Sequence, residues 1–261
     1  MRLPVIEGII KRRILVNYRV VPEVIAPLLP APFRPKLHRG VAIAGICLIR
    51  LEKLRPRGWP ALIGISSENC AHRVAVEWDE PDGVHEGVYV PRRDTNSLLN
   101  HFAGGRLFPG EHAYADFNVR DKGGFIGLKM RSSDGRVVVD LRASECDALP
   151  ATSCFTGVQS ASDFFEPGCV GFSATKGGHS LDAIRLKTID WRVRPLAVEI
   201  VRSSFFGESA VFPPGSVAFD HALIMREIRH EWHAEASIEV RGVRAVDGVT
   251  LENPAPVAPR G

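Results

Sequence analysis

What this chain lacks already narrows its chemistry. Residues 87–117 hold its densest run of arginines and amides, yet no lysine stands among them. An amine able to form an imine with a carbonyl is therefore missing from that run. The five cysteines (Cys47, Cys70, Cys146, Cys154 and Cys169) are odd in number and never in C-x-x-C spacing. That argues against a disulfide framework and reads as free thiols in a reducing cytoplasm. No apolar run approaches the roughly 18 residues of a membrane span. The start of the chain carries Arg2 and Glu7 without an apolar stretch before a small-residue cleavage site, so no secretory leader is expected. The expected location is cytoplasmic, with no membrane partner. A Gly-x-Ser-x-Gly elbow, a dinucleotide fingerprint and a Lys-Ser/Thr phosphate loop are all absent, which leaves no motif for those hydrolase and nucleotide chemistries. With 33 basic against 30 acidic residues the net charge is only +3, so no nucleic-acid partner is expected.

What is present is mostly strand. Hydrophobic residues make up 45% of 261, enough for a sizeable core, and all-β units of this length often form one domain. Period-two or continuously apolar segments predict strands at 14–19, 41–51, 73–78, 88–90, 112–120, 125–131, 137–141, 182–193, 196–206 and 237–243. The segment 73–78 reads as half-exposed, and 182–193 with 196–206 reads as a pair broken at Pro195. Asp134-Gly135 is the strongest hairpin signal. Short helices are predicted at 22–29, between Pro22 and Pro30, at 95–103, and at 161–165. For the second, Asp94 or Thr95 would be the N-cap and Gly104-Gly105 the stop. Lys11-Arg12-Arg13 reads as a solvated strand end. The chain is thus predicted to be mainly β, a closed barrel or a sandwich, with residues 1–248 as one domain and 249–261 as a proline-rich disordered tail.

Three clusters carry candidate chemistry. Arg92 and Arg93 follow Pro91 where a strand enters a helix, and with Asn96 and Asn100 they form a set suited to a carboxylate. Alternatively, Arg93 pairs with Asp94 or Glu111 and pins the loop. His101 lies on the predicted helix, and Arg106 follows the double glycine, where backbone approaches a ligand closely. In the second cluster Glu68 and His72 would form an acid/base pair if buried, or serve a turn. The third joins Phe219-Asp220-His221 with His230-Glu231-Trp232-His233. His-Glu-x-His is not the zinc-hydrolase spacing, and on a strand His230 and His233 would face opposite sides. No metal and no cofactor are expected.

Longer stretches show a resemblance. Residues 18–33, from Tyr18-Arg19 to Pro30-Ala31-Pro32-Phe33, resemble the opening of acetoacetate decarboxylases, and Phe219-Asp220-His221-Ala222-Leu223 resembles a segment near that family's C-terminus. Up to about residue 245 the chain is more closely similar to the YqjF-like family of uncharacterised conserved bacterial proteins, in the acetoacetate-decarboxylase-like superfamily. Arg92-Arg93-Asp94-Thr95-x-Ser97, Gly104-Gly105-Arg106-x-Phe108-Pro109-Gly110, Ser66-Ser67-Glu68-Asn69 and His230-Glu231-Trp232 carry that likeness. It implies a closed antiparallel double β-barrel, cone-shaped around a cavity, in a homo-oligomer built from dimers. Decarboxylases of this kind use an imine-forming lysine, and its place falls here on Asn100 or, with a gap, on Arg106. Lys129 alone among the lysines lies inside a convincing strand, where it either compensates or faces outward. The expectation is an acetoacetate-decarboxylase-like protein without imine chemistry that binds a small oxo or carboxylic acid, of lyase type if it is an enzyme. Arg92, Arg93, Asn96 and Asn100 would bind it, with Glu68, His72, His101 and Arg106 as catalytic groups. The alternatives are a non-catalytic small-molecule binding protein and a decarboxylase using Lys129.

Overall fold

Two patterns of burial along the strands decide the architecture. The computed structural model describes residues 4–98, 110–175 and 179–240. Its strands in chain order are β1 (Ile6–Val20), β2 (Arg34–Pro35), β3 (Leu37–His38), β4 (Val41–Pro56), β5 (Ile65–Glu80), β6 (Gly83–Thr95) and β7 (His112–Lys122). They continue as β8 (Phe125–Ser132), β9 (Val138–Glu145), β10 (Val170–Ala174), β11 (Ser180–Thr188), β12 (Arg194–Ser203), β13 (Val217–Ala234) and β14 (Ile238–Glu239). In β8 and β9 burial alternates strictly, with Ile126, Leu128, Met130, Val139 and Leu141 inward. In β4, by contrast, residues 42–49 are all buried. Alternation means one face meets a core; continuous burial means both do.

The pairing shows why. Strands β6, β7, β8, β9, β12, β13, β1, β4 and β5 close a ring of nine through the β5–β6 ladder. Strands β11, β10, β6, β5, β4, β1 and β13 close a second ring of seven through β11–β13. Five strands belong to both rings, and their two faces supply two cores. On β1, Ile14, Val16 and Tyr18 point into the larger ring and Leu15 into the smaller. Burial of each such side chain contributes about 1.5–3 kcal/mol. Helix α1 (Pro22–Ile25) and a following 3-10 turn occupy the predicted 22–29 helix. Helix α2 (Val158–Phe165) begins three residues before its predicted start and packs Phe164 and Phe165 with Phe155 into the smaller ring's core. Gly45 is where β4 approaches β1 most closely: a Cβ there would lie 2.2 Å from the Val16 carbonyl oxygen. The Asp134-Gly135 hairpin forms between β8 and β9, with Gly135 at φ 73°.

Several expectations are corrected. Segment 73–78 is not half-exposed, because β5 is shared and Arg73 to Val76 are buried on both faces. The segments 182–193 and 196–206 do not pair: β11 lies against β10, β13 and β14, and β12 against β9 and β13. Strand β13 was not anticipated. It is buried on both faces over residues 220–225 and alternates only beyond them, so no single period runs its length. Strand β6 continues to Thr95, so Asp94 caps no helix, whereas the Thr95 hydroxyl accepts the Ser97 N–H at 3.1 Å. β6 also runs parallel to β7 and β10, an exception to antiparallel pairing. The expected tail at 249–261 lies outside the described residues. No helix among those described is long and apolar enough to cross a membrane.

Candidate functional site

The β5–β6 ladder separates the two cores, and its register distributes the charged residues. Cys70 lies opposite Asp94, Ala71 opposite Arg93 and His72 opposite Arg92. Period-two alternation then turns Asn69, Ala71, Arg73 and Arg93 toward the smaller ring, and Cys70, His72, Arg92 and Asp94 toward the larger.

Inside the smaller ring is a cavity of about 100 Å³ whose lining includes Arg13, Cys47, Arg73, Arg93 and Trp232. The Arg13 Nε donates to Cys47 Sγ at 3.4 Å, and its buried Nη1 has no partner. Arg73 donates from Nη2 to Asn17 Oδ1, stacks over Phe165 at 4.9 Å, and leaves Nε buried and unpartnered. Arg93 Nε donates to Ser173 Oγ at 3.1 Å, and that hydroxyl donates to the Val90 carbonyl. Among the described residues none of the three forms an ion pair. Arg93 in particular pairs with neither Asp94 nor Glu111. Burial pulls the Arg73 and Arg93 guanidiniums down to about 10, still charged at neutral pH. A buried cation without a counter-charge costs several kcal/mol in a folded protein.

A row of side chains fixes Arg73. Across the shared sheet, His221, Asn17, Gly45 and Arg73 are neighbours in register. Gly45 carries no side chain, which leaves Arg73 free to reach over β4 to Asn17. Asn17 Nδ2 lies 3.0 Å from His221 Nε2 and 3.2 Å from the Leu15 carbonyl, so its Oδ1 is turned to Arg73. His221 Nε2 is then the acceptor, and Nδ1–H donates to Asp220 Oδ2 at 2.6 Å. Asp220 also accepts the Ser153 hydroxyl at 2.7 Å and the Cys154 N–H at 2.9 Å, and pairs with Arg19 at 3.2 Å. Burial pushes the Asp220 carboxyl up, but these hydrogen bonds, His221 first, outweigh it and hold it at about 2.

On the opposite face the charges are compensated. Arg92 holds Asp94 through Nε and Nη2, the shortest contact being 2.7 Å, and reaches Asp134 at 2.8 Å. The His72 ring lies 4.5 Å from Phe205, and burial pulls it down to about 3. Glu68 accepts from Arg12 at 2.6 Å and is nevertheless pushed up by burial. Asn96 binds the Glu68 backbone rather than the cavity, accepting its N–H at 2.9 Å and donating to its carbonyl at 3.1 Å. Glu68 and His72 share a face but lie four residues apart, roughly 13 Å along the strand, with Cys70 between them. Lys11-Arg12-Arg13 is not a solvated end: Lys11 is exposed, Arg12 buried on Glu68, and Arg13 turned into the cavity. Lys129 points outward from β8, 3.8 Å from Asp140. Asn100, His101 and Arg106 lie outside the described residues.

A family profile described as DUF2071, uncharacterized conserved protein, matches residues 10–222. The chain belongs to that family. No curated protein sequence matches it. Among solved structures, an acetoacetate decarboxylase-like enzyme from Sphingomonas wittichii RW1 aligns with a TM-score of 0.56 at 11% identity, over 92% of this chain and 94% of that one. Acetoacetate decarboxylase from Legionella pneumophila aligns at 0.54 and 11%, over 90% and 88%. The enduracididine biosynthesis enzyme MppR, complexed with pyruvate, aligns at 0.55 and 10%, over 92% and 91%. At such identities the likeness establishes the fold: this DUF2071 chain has the acetoacetate-decarboxylase-like double ring.

Sequence reasoning placed Arg92 and Arg93 side by side in one site, and the register sends them to opposite faces. It passed over Arg13, Asn17, Cys47 and Arg73. Their signal was available in part. Asn17 interrupts a run, Ile14 to Tyr18, that is otherwise apolar at both parities, a pattern expected where a polar group faces an interior.

Proposed function

We propose that the smaller ring of this DUF2071 protein is a binding cavity for a small organic acid, an oxo or carboxylic acid. The observation that carries this reading is the convergence of Arg13, Arg73 and Arg93 on one cavity without an acidic partner among the described residues. Planar guanidiniums match a carboxylate in a two-pronged contact, and burial strengthens each such bond. The volume admits the equivalent of several water molecules, a scale suited to an acid of a few heavy atoms. MppR, a neighbour in fold, holds pyruvate, which belongs to this chemical class.

Binding, not turnover, is what this geometry supports. Glu68 and His72 do not line the cavity, and neither does any described lysine, so an imine mechanism has no described amine there. The test is calorimetric titration of the full chain with pyruvate, with acetoacetate and with neutral acetone at constant ionic strength. An acid should bind and acetone should not. At 100 times its Kd the acid should stabilise the fold by about 2.7 kcal/mol. Arg93→Met and Arg73→Met should each abolish the binding. Failure of both acids to bind, or binding unchanged in both variants, overturns the reading.

A further inference from the structure

On the other face of the same ladder, we propose that Cys70, His72 and Asp94 form a binding site for one divalent metal ion of the zinc class. Three placements converge there. Cys70 and His72 are two residues apart on β5, so alternation points both side chains into the larger ring. The β5–β6 register sets Asp94 directly opposite Cys70. The thiol sulfur, a ring nitrogen and a carboxylate oxygen all lie within 4.8 Å of one another. A tetrahedral zinc ion with bonds of about 2.0–2.3 Å places its donor atoms roughly 3.4–3.8 Å apart, so side-chain adjustments of about an ångström complete the geometry.

The burial is as telling as the spacing. Cys70, His72 and Asp94 are 1%, 0% and 0% exposed. Both ring nitrogens of His72 are buried without a hydrogen-bond partner, and Cys70 is a free thiol. A fully buried imidazole with neither nitrogen satisfied is costly, and such a group calls for an explanation. A metal ion accounts for one of the two nitrogens, because it takes that lone pair directly. The ion would also offset the charges of a thiolate facing a carboxylate. Arg92 fits the surrounding shell: it grips Asp94 from the side, and a carboxylate with about four acceptor sites keeps room for a metal. Sulfur and nitrogen donors select zinc-like ions over magnesium or calcium. Cys70 and Asp94 also border the arginine cavity through the sheet, whereas His72 does not line it.

Cobalt(II) is the probe, added to the full chain both by titration and during refolding, because the site is enclosed. One equivalent should bind with a thiolate-to-cobalt charge-transfer band in the near ultraviolet. Cys70→Ala should lose that band, His72→Leu should weaken binding at least tenfold, and Cys169→Ala should change nothing. The metal content of the purified protein gives a readout that needs no variant, with about one zinc per chain expected. A wild-type protein that shows no band by either route and carries no metal overturns the proposal, as does a band that persists in Cys70→Ala.

Discussion

The two faces of one ladder treat arginine in opposite ways. On the larger-ring face Arg92 is held by two carboxylates, Asp94 and Asp134. One residue later, on the smaller-ring face, Arg93 meets only a serine hydroxyl, and Arg73 and Arg13 join it without a carboxylate. Desolvation acts on both faces, so position in the fold does not explain the difference. The paired face is arranged for stability. The unpaired face leaves buried charge uncompensated, and the proposed acid would supply the counter-charge. Burial explains why the contrast matters, since a charge costs little when exposed and several kcal/mol when enclosed alone.

The largest effect should come from breaking the paired face. Asp94→Ala strands Arg92 with the half-exposed Asp134 as its remaining partner, and removing one member of a buried pair costs about 3–5 kcal/mol. The urea midpoint should fall accordingly. A loss below about 1 kcal/mol would mean that Arg92 escapes to solvent and that the face is not tightly paired.

On the unpaired face the charge of Asp220 is committed to His221, Ser153, Cys154 and Arg19 rather than to Arg73. Its carboxyl is held at about 2, below its ordinary 3.8. A depressed acid contributes stability that is present above the unfolded value and lost as pH falls through the folded one. Between about pH 4 and pH 2 the protein should therefore lose about 2 kcal/mol from this group. Asp220→Asn should start less stable and show a flatter acid limb in urea unfolding. Equal limbs in both proteins would place the commitment of Asp220 elsewhere.

Replacing an unpaired cation should act in the opposite sense to Asp94→Ala. Arg93→Met keeps the volume, removes an unmatched charge and should raise stability by about 1 kcal/mol in the ligand-free protein while abolishing acid binding. Opposite signs for two substitutions on adjacent residues would be the sharpest form of the contrast. A clear loss of stability in Arg93→Met would show that the Ser173 contact outweighs desolvation.

This contrast was only partly legible in the sequence. Strands that serve one ring, such as 125–131, announce themselves by alternation, and Asp134-Gly135 marks its turn by backbone preference. The family motifs indicated the double barrel. Strands that serve two rings obscure their faces: in β5 the run from His72 to Val76 is buried throughout, so nothing local says that His72 and Arg73 face different interiors. Only the register, set by residues more than twenty positions away, assigns Arg92 and Arg93 to different cores. The same holds for Arg13, which reads as part of a basic run until β1 is paired on both edges. The Asp220–His221 motif was visible as a motif, but its role in positioning Arg73 through Asn17 spans four strands and had no local signature.

Lys129 sharpens the comparison from outside it. It sits in a strand that belongs to the larger ring alone, between inward Leu128 and Met130, so alternation places it on the outer surface. Asp140, opposite it on β9, lies at 3.8 Å, and the lysine itself is exposed. Exposed pairs of this kind contribute about 0–1 kcal/mol, and substitutions at such positions stay within about 0.5 kcal/mol. Lys129→Ala should therefore leave both the urea midpoint and acid binding unchanged, and borohydride added with acetoacetate should attach no mass to this residue. An adduct on Lys129, or a loss of binding in the variant, would move the chemistry out of the smaller ring. It would also mean that the unpaired guanidiniums of Arg13, Arg73 and Arg93 serve something other than a small acid.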